Sequence, residues 1–153
     1  MAKPHASYRV FISSTFIDNA DRRSIVEDAV LRAGMQPVGM ERFTANHRAT
    51  VGWCEEQARE CDVYVGIVAH RYGWIPDGKE VSITELEYDA AKDRPRLMFE
   101  IKPGPVDPDT DFDTGPDRWD KQKKLETFKA RCAATYPWSR PSARPGSATA
   151  AAW

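Results

Sequence analysis

The sequence predicts a three-layer α/β sandwich: a parallel sheet of four to five strands with helices on both faces. Three observations carry that expectation. Short β-branched and aromatic runs alternate along the chain with segments of helical periodicity. Repeated strand–helix–strand order requires crossover connections and a parallel sheet. The most apolar run, Asp62 to Val68, is continuous rather than alternating, which suits a central strand buried on both faces. The 153 residues suffice for one such core.

Tyr8 to Ile12 is the first strand, broken by Ser13, Ser14 and Thr15. A helix follows from about Asp18 to Ala33, with Ile25, Val26, Ala29, Val30 and Ala33 on one face and Gly34 as its stop. Met35 to Met40 is the second strand, where Pro37 indicates an edge or the strand's first part. Glu41 to Ala49 reads as a polar loop, and Thr50 to Glu60 as a second helix with Val51, Cys54 and Ala58 inward. Beyond the apolar third strand lies a loop from His70 to Val81. Ser82 caps a third helix running to about Lys92, and Glu85 completes an S-x-x-E capping box. Arg96 to Ile101 is the fourth strand. A Pro/Gly/Asp loop over 103–117 leads to a fourth helix, Arg118 to Thr135, with Leu125, Phe128 and Cys132 on one stripe. The domain is expected over 8–135, of the flavodoxin or TIR type. Residues 136–153 have the composition of a linker or disordered tail, which suggests a module of a longer polypeptide.

Composition narrows the function classes. The net charge of -1 gives no global electrostatic reason to bind nucleic acid or an anionic membrane. No apolar run approaches the roughly 20 residues of a membrane span, and Met1 to Ser7 carries no hydrophobic secretory segment. A cytoplasmic location is expected. The three cysteines, Cys54, Cys61 and Cys132, form no CxxC pair and read as reduced core residues. Asp107, Asp109, Asp111 and Asp113 alternate like a calcium loop, but Phe112 and Arg118 replace the glycine and glutamate that such a loop needs. The loop reads as solvated, and no metal is expected. His5, His47 and His70 are scattered, read as solvent-exposed, and form no catalytic arrangement.

In open parallel sheets, ligands bind beyond the carboxyl ends of the strands. The residues that follow each strand are therefore the candidates. Ser13, Ser14 and Thr15 offer hydroxyls and backbone N–H groups for a phosphate, or a turn and helix cap. Arg71, Tyr72 and Trp74 combine a cation for phosphate with two rings for stacking, or cover a sheet edge or protein interface. On the third helix, Ile83, Leu86 and Ala90 define the expected buried face. Glu87 lies about 40° from Ile83, and Glu85 about 200° away toward water, at about 100° per residue. A carboxylate at the edge of an apolar face is costly unless paired or used. Glu87 is thus a catalytic candidate or a structural ion-pair member, with Arg71 or Arg22 as partner. Arg22 falls in the apolar sector of the first helix, either in a structural salt bridge with Glu41 or in a phosphate-binding role.

Four blocks in order carry a family resemblance. Arg9-Val10-Phe11-Ile12-Ser13-Ser14-Thr15-Phe16, Pro37-Val38-Gly39-Met40-Glu41, Cys61 to Val68 with Arg71-Tyr72-Gly73, and Ser82-Ile83-Thr84-Glu85-Leu86-Glu87-Tyr88 resemble the blocks of domain-of-unknown-function family 4062. The resemblance spans residues 8 to 101. Asp21-Arg22 stands where the family more often has Glu-Arg, and a fifth strand is not expected this close to the end of the chain. The resemblance implies a TIR-like domain placed ahead of a STAND-type NTPase and repeat region, in bacterial defence or signalling proteins. It settles no activity. Thr84-x-x-Glu87 followed by Ala91 is also similar to a stretch of nucleoside deoxyribosyltransferases, and TIR-type NAD hydrolases carry a catalytic glutamate on the corresponding helix. These similarities imply a signalling or effector domain that cleaves NAD or a related nucleotide at its N-glycosidic bond. Glu87 would be catalytic, Ser13, Ser14 and Arg71 would hold phosphate, Tyr72 or Trp74 would stack a ring, Thr15 would be a further ligand contact, and no bound cofactor would be needed. The alternative is a non-catalytic module that self-associates and contacts an NTPase or repeat region. An enzyme predicts a concave pocket with Glu87 exposed to it; an interaction module predicts Glu87 sealed in a salt bridge and an exposed apolar patch near Trp74 or Trp53.

Overall fold

The computed structural model describes residues 8–39, 51–102 and 104–135. Its strands are β1 (Arg9–Ser14), β2 (Gln36–Val38), β3 (Val63–Val68) and β4 (Arg96–Glu100). Its helices are α1 (Ala20–Arg32), α2 (Val51–Glu60), α3 (Ile83–Ala90) and α4 (Arg118–Thr135). The strands pair in parallel in the order β2-β1-β3-β4. This is the flavodoxin-like order over its first four strands. The apolar β3 lies inside the sheet, and β2 with Pro37 lies at an edge, where a missing N–H is tolerated.

Strand alternation divides the core in two. Val10 and Val65 face one side, where Val30 of α1 packs on them. Phe11, Tyr64, Val68 and Met98 face the other. There Ala58 of α2, Tyr88 of α3 and Leu125, Phe128 and Cys132 of α4 complete the larger cluster. A Cβ at Gly66 would lie 2.6 Å from Met98 Cε, so the Met98 side chain fills the space the glycine leaves. Cys54, Cys61 and Cys132 are buried free thiols, as their usual behaviour predicts, with Cys61 and Cys132 in this cluster.

Two helices turn differently from their apolar periodicity. On α3 the buried residues are Thr84, Glu87 and Tyr88, while Ile83, Leu86 and Ala90 are half-buried. The reason is α4. Phe128 packs edge-on against Tyr88 at 5.4 Å, and Arg131 pairs with both Glu85 and Asp89 at 2.7 Å. Glu85 therefore does not point to water: it also accepts the Tyr72 O–H. Its backbone N–H donates to Ser82 Oγ at 3.3 Å, so the expected cap is present. On α1, Ile25 is 69% exposed and Ala29 and Ala33 are exposed, whereas Arg23 is buried. Arg23, Val26 and Val30 form the inward stripe because Arg23 finds acceptors at the end of β1 that satisfy its guanidinium.

Arg22 is half-buried and donates to Asp18 O at 2.7 Å and Asn19 Oδ1 at 3.2 Å. Its expected partner Glu41 lies outside the described residues, as do His5, His47 and the 136–153 tail. His70 is half-buried rather than exposed, its ring 5.4 Å from Phe112. The aspartates of the 103–117 loop serve its own backbone: Asp111 accepts the Asp107 N–H at 2.6 Å, and Asp107 that of Asp109 at 3.0 Å.

Apolar docking of α4 should outweigh its ion pairs. Phe128→Ala is expected to cost about 3–5 kcal/mol, and Arg131→Ala about 1 kcal/mol, because that side chain is partly exposed. Urea denaturation of both variants checks the ranking; comparable losses would contradict it.

Candidate functional site

The loops leaving the carboxyl ends of β1 and β3 enclose a cleft of about 360 Å³. Ser14, Thr15, Phe16 and Ile17 form one wall, and Arg71, Gly73 and Trp74 the opposite one. Ile83 and Thr84, at the start of α3, and Asp113, Thr114 and Lys121 complete it. From β1 the chain crosses to β2, and from β3 in the opposite direction to β4. The cleft thus sits at the topological switch point, where open α/β sheets bind ligands.

Close loop approach shapes the cleft. Gly73 has φ +90°, and a Cβ there would lie 2.7 Å from Thr15 Cγ2. Glycine is needed both for the backbone and for the contact. Asp113 pins the turn, accepting the Tyr72 N–H at 2.6 Å and the Gly73 N–H at 3.3 Å. Arg71 Nε donates to Phe112 O at 3.0 Å, and Lys121 pairs with Asp117 at 3.4 Å. A cleft walled by two cations and a tryptophan suits a ligand with an anionic group and a flat ring.

The hydroxyl accounting alters one expectation. Ser13 donates to Glu87, Ser14 to Thr15 O at 2.7 Å, and Thr15 to Asp18. All three protons are committed inside the fold, so these side chains are not free phosphate donors. Ser13 is buried and does not line the cleft; Ser14 and Thr15 do. The cations that line the cleft are Arg71 and Lys121. The residues also do not cap α1, whose N-cap is Asn19. Burial pushes the Asp18 carboxyl above its ordinary range, offset by the Thr15 bond and by the charges of Arg71 and Arg22.

Tyr72 is likewise absent from the cleft. Its ring belongs to the core, and its hydroxyl accepts the Ser82 N–H at 3.1 Å while donating to Glu85. Trp74 stays at the cleft and is 60% exposed, beside Phe16 at 62% and Ile17 at 61%. Trp53 is half-buried.

Glu87 is 3% exposed and does not line the cleft. It lies one helical turn beyond Thr84, which does. Ser13 donates to its carboxyl, Cys54 of α2 hydrogen-bonds it, and the Arg23 charge acts on it from α1. Burial outweighs these contacts and pushes its pKa to about 7. Of the sequence-derived site residues, the fold brings Ser14, Thr15, Arg71 and Trp74 to one cleft. It sets Ser13 and Glu87 beneath it and Tyr72 in the core. Sequence reasoning missed Lys121, Asp113 and Arg23. Asp113 lay in a loop that read as solvated, and Lys121 and Arg23 carry no local signal. Among the described residues, no group of histidine, cysteine and carboxylate side chains is placed to hold a metal.

A family model described as "Domain of unknown function (DUF4062)" matches residues 9–143. No curated protein matches the chain. Among solved structures, a Clostridium botulinum CMP N-glycosidase aligns at 18% identity over 60% of this chain and 71% of that chain. Its TM-score of 0.38 is too low to carry an argument.

The buried Glu87 carboxyl links stability to pH. Its folded pKa lies above the unfolded value, so the folded chain binds the extra proton between about pH 4.5 and 7. Stability from this group is full below pH 4.5 and is lost as pH rises through 7. The stability of Glu87→Gln relative to the parent should therefore rise by roughly 3 kcal/mol across that window. Denaturation midpoints at both ends measure it; a difference independent of pH would refute the assignment.

Proposed function

The chain belongs to the DUF4062 family, and from that premise we propose that it is a nucleotide-binding effector domain that cleaves an N-glycosidic bond in NAD or a related nucleotide. The observation that carries this reading is the switch-point cleft, with Arg71 and Lys121 on its walls and the Glu87 carboxyl beneath Thr84. Arg71 and Lys121 take the phosphate, Trp74 and Phe16 the flat ring.

The chemistry suits a single carboxylate. When the base is a pyridinium, the C1′–N bond breaks with its electron pair going to nitrogen, and nicotinamide departs neutral. No proton donor is needed on that side, unlike ordinary glycoside hydrolysis. Glu87 in its ionised form stabilises the positive charge that develops on the sugar ring and takes the proton of the attacking water. A carboxyl with a pKa of about 7 is suited to exchange that proton near neutral pH. Because the carboxyl is covered, this reading requires the ligand to displace the Thr84 side of the cleft. A signalling context, in the cytoplasm and ahead of an NTPase and repeat region, is consistent with the family resemblance and forms part of the proposal.

A second reading rests on its own observation. Phe16, Ile17 and Trp74 form an exposed apolar rim, and Glu87 is sealed, as an interaction module that self-associates would have it.

Base release from NAD and from nucleoside monophosphates separates the two, with the domain free and fused to an oligomerising partner. The expected result is release that falls about 100-fold or more in Glu87→Gln, with KM raised in Arg71→Ala. A folded domain that releases no base in either format would overturn the enzyme reading. Concentration-dependent sedimentation abolished by Trp74→Ser would then support the interaction module.

A further inference from the structure

Arg23 is the least expected charge in the fold. It sits on α1, yet it is 4% exposed. Its Nη1 donates to Ser14 Oγ at 2.9 Å and its Nη2 to Ile12 O at 3.2 Å. Glu87 is the leading charge that acts on it, ahead of Glu27 on its own helix and Tyr64 on β3. A buried guanidinium carries a desolvation cost that only a charge partner and good hydrogen bonds offset. Here those partners lie on both sides of one boundary. Ser14 is a cleft wall, and Glu87 lies beneath the cleft.

We infer that Arg23 is a positioning residue that acts on Glu87 across the end of β1, its guanidinium anchored to the Ser14 wall of the cleft beside the Ser13 hydroxyl that bonds the carboxyl. The inference rests on the proposed reaction for its functional meaning, but its physical content stands without turnover. Among the described residues, the groups that act on Glu87 come from four elements. Ser13 comes from β1, Cys54 from α2, Arg23 from α1 and Tyr64 from β3, while Glu27 acts on Arg23 and Glu55 on Cys54. Among them Arg23 is the cation. Ser13 and Cys54 contribute hydrogen bonds, which orient the carboxyl but supply no net charge. Among the described residues, removing the guanidinium leaves burial opposed by hydrogen bonds, and the carboxyl should hold its proton to higher pH. Ser14 would lose the donor that fixes its oxygen, since its own proton is committed to Thr15 O.

The test is a carbon-13 NMR titration of the side-chain carboxyls in the full 153-residue chain, with the Glu87 signal assigned by its loss in Glu87→Gln. Arg23→Gln keeps amide donors but removes the charge. Its Glu87 midpoint is expected to rise by about 1 unit or more, while Arg23→Lys, which keeps the charge, stays near the parent value. An unchanged midpoint in a folded Arg23→Gln would overturn the inference. Should Arg23→Gln not fold, Arg23→Lys carries the test, and a midpoint raised by about 1 unit there would overturn it. The titration needs no substrate, so absence of base release defeats the enzyme reading and leaves this result standing. Where base release is observed, its ionisation limb on the pH–rate profile should move up with the Glu87 midpoint in Arg23→Gln.

Discussion

A carboxyl and a guanidinium, both almost fully buried, flank the carboxyl end of β1. Glu87 comes from α3 and Arg23 from α1, so they approach that strand end from opposite faces of the sheet. Each burial is compensated in its own way: Arg23 by acceptors on β1, and Glu87 by the Ser13 and Cys54 hydrogen bonds and a pKa pushed up to about 7. The pair therefore constrains its surroundings. Ser13 must present a hydroxyl to the α3 face, Ser14 must accept Arg23, and both helices must turn their polar residues inward at this level. On α1 the rotation away from the apolar stripe follows from that demand, and on α3 the docking of α4 adds to it.

The larger core pays out differently on its far side. α4 lies along α3 and covers the surface that carries Glu85 and Asp89. Glu85 is thereby drawn into a chain of contacts that runs from Arg131 through Glu85 to Tyr72 and on to the Ser82 N–H. This chain joins the last helix to the loop after β3, and Asp113 joins that loop to the segment before α4. The cleft wall is thus held by elements distant in sequence. Its shape depends on α4 being docked, although Lys121 is the α4 residue that lines it.

The cleft and the buried pair share Ser14 and the Thr84 turn of α3 as their boundary. That arrangement places charge chemistry below a ligand-sized cavity without exposing it. An apolar rim of Phe16, Ile17 and Trp74 stands over the same opening. Cavity, rim and buried acid are one contiguous region built from the ends of β1 and β3.

Much of this was legible in the residues themselves. The element order, the central apolar β3, the edge position of the Pro37 strand, the Ser82 cap and the inward stripe of α4 all follow from local pattern, because strand burial, capping and helical spacing are short-range properties. Glu87 stood out for the same reason, as a carboxyl beside apolar neighbours on one helix. Which of two adjacent arginines is buried could not be read this way. Arg22 and Arg23 differ by one helical step, and the choice is made by acceptors on β1 that local sequence does not place. Likewise Tyr72 looked like a surface ring until α3 and the Ser82 cap enclosed it. The sequence by itself determined the parallel α/β framework and the strand ends where chemistry collects. The tertiary structure alone decided which side chains reach the cleft, because burial and charge pairing are settled between elements, by whichever partners the packing brings within a hydrogen bond of each other.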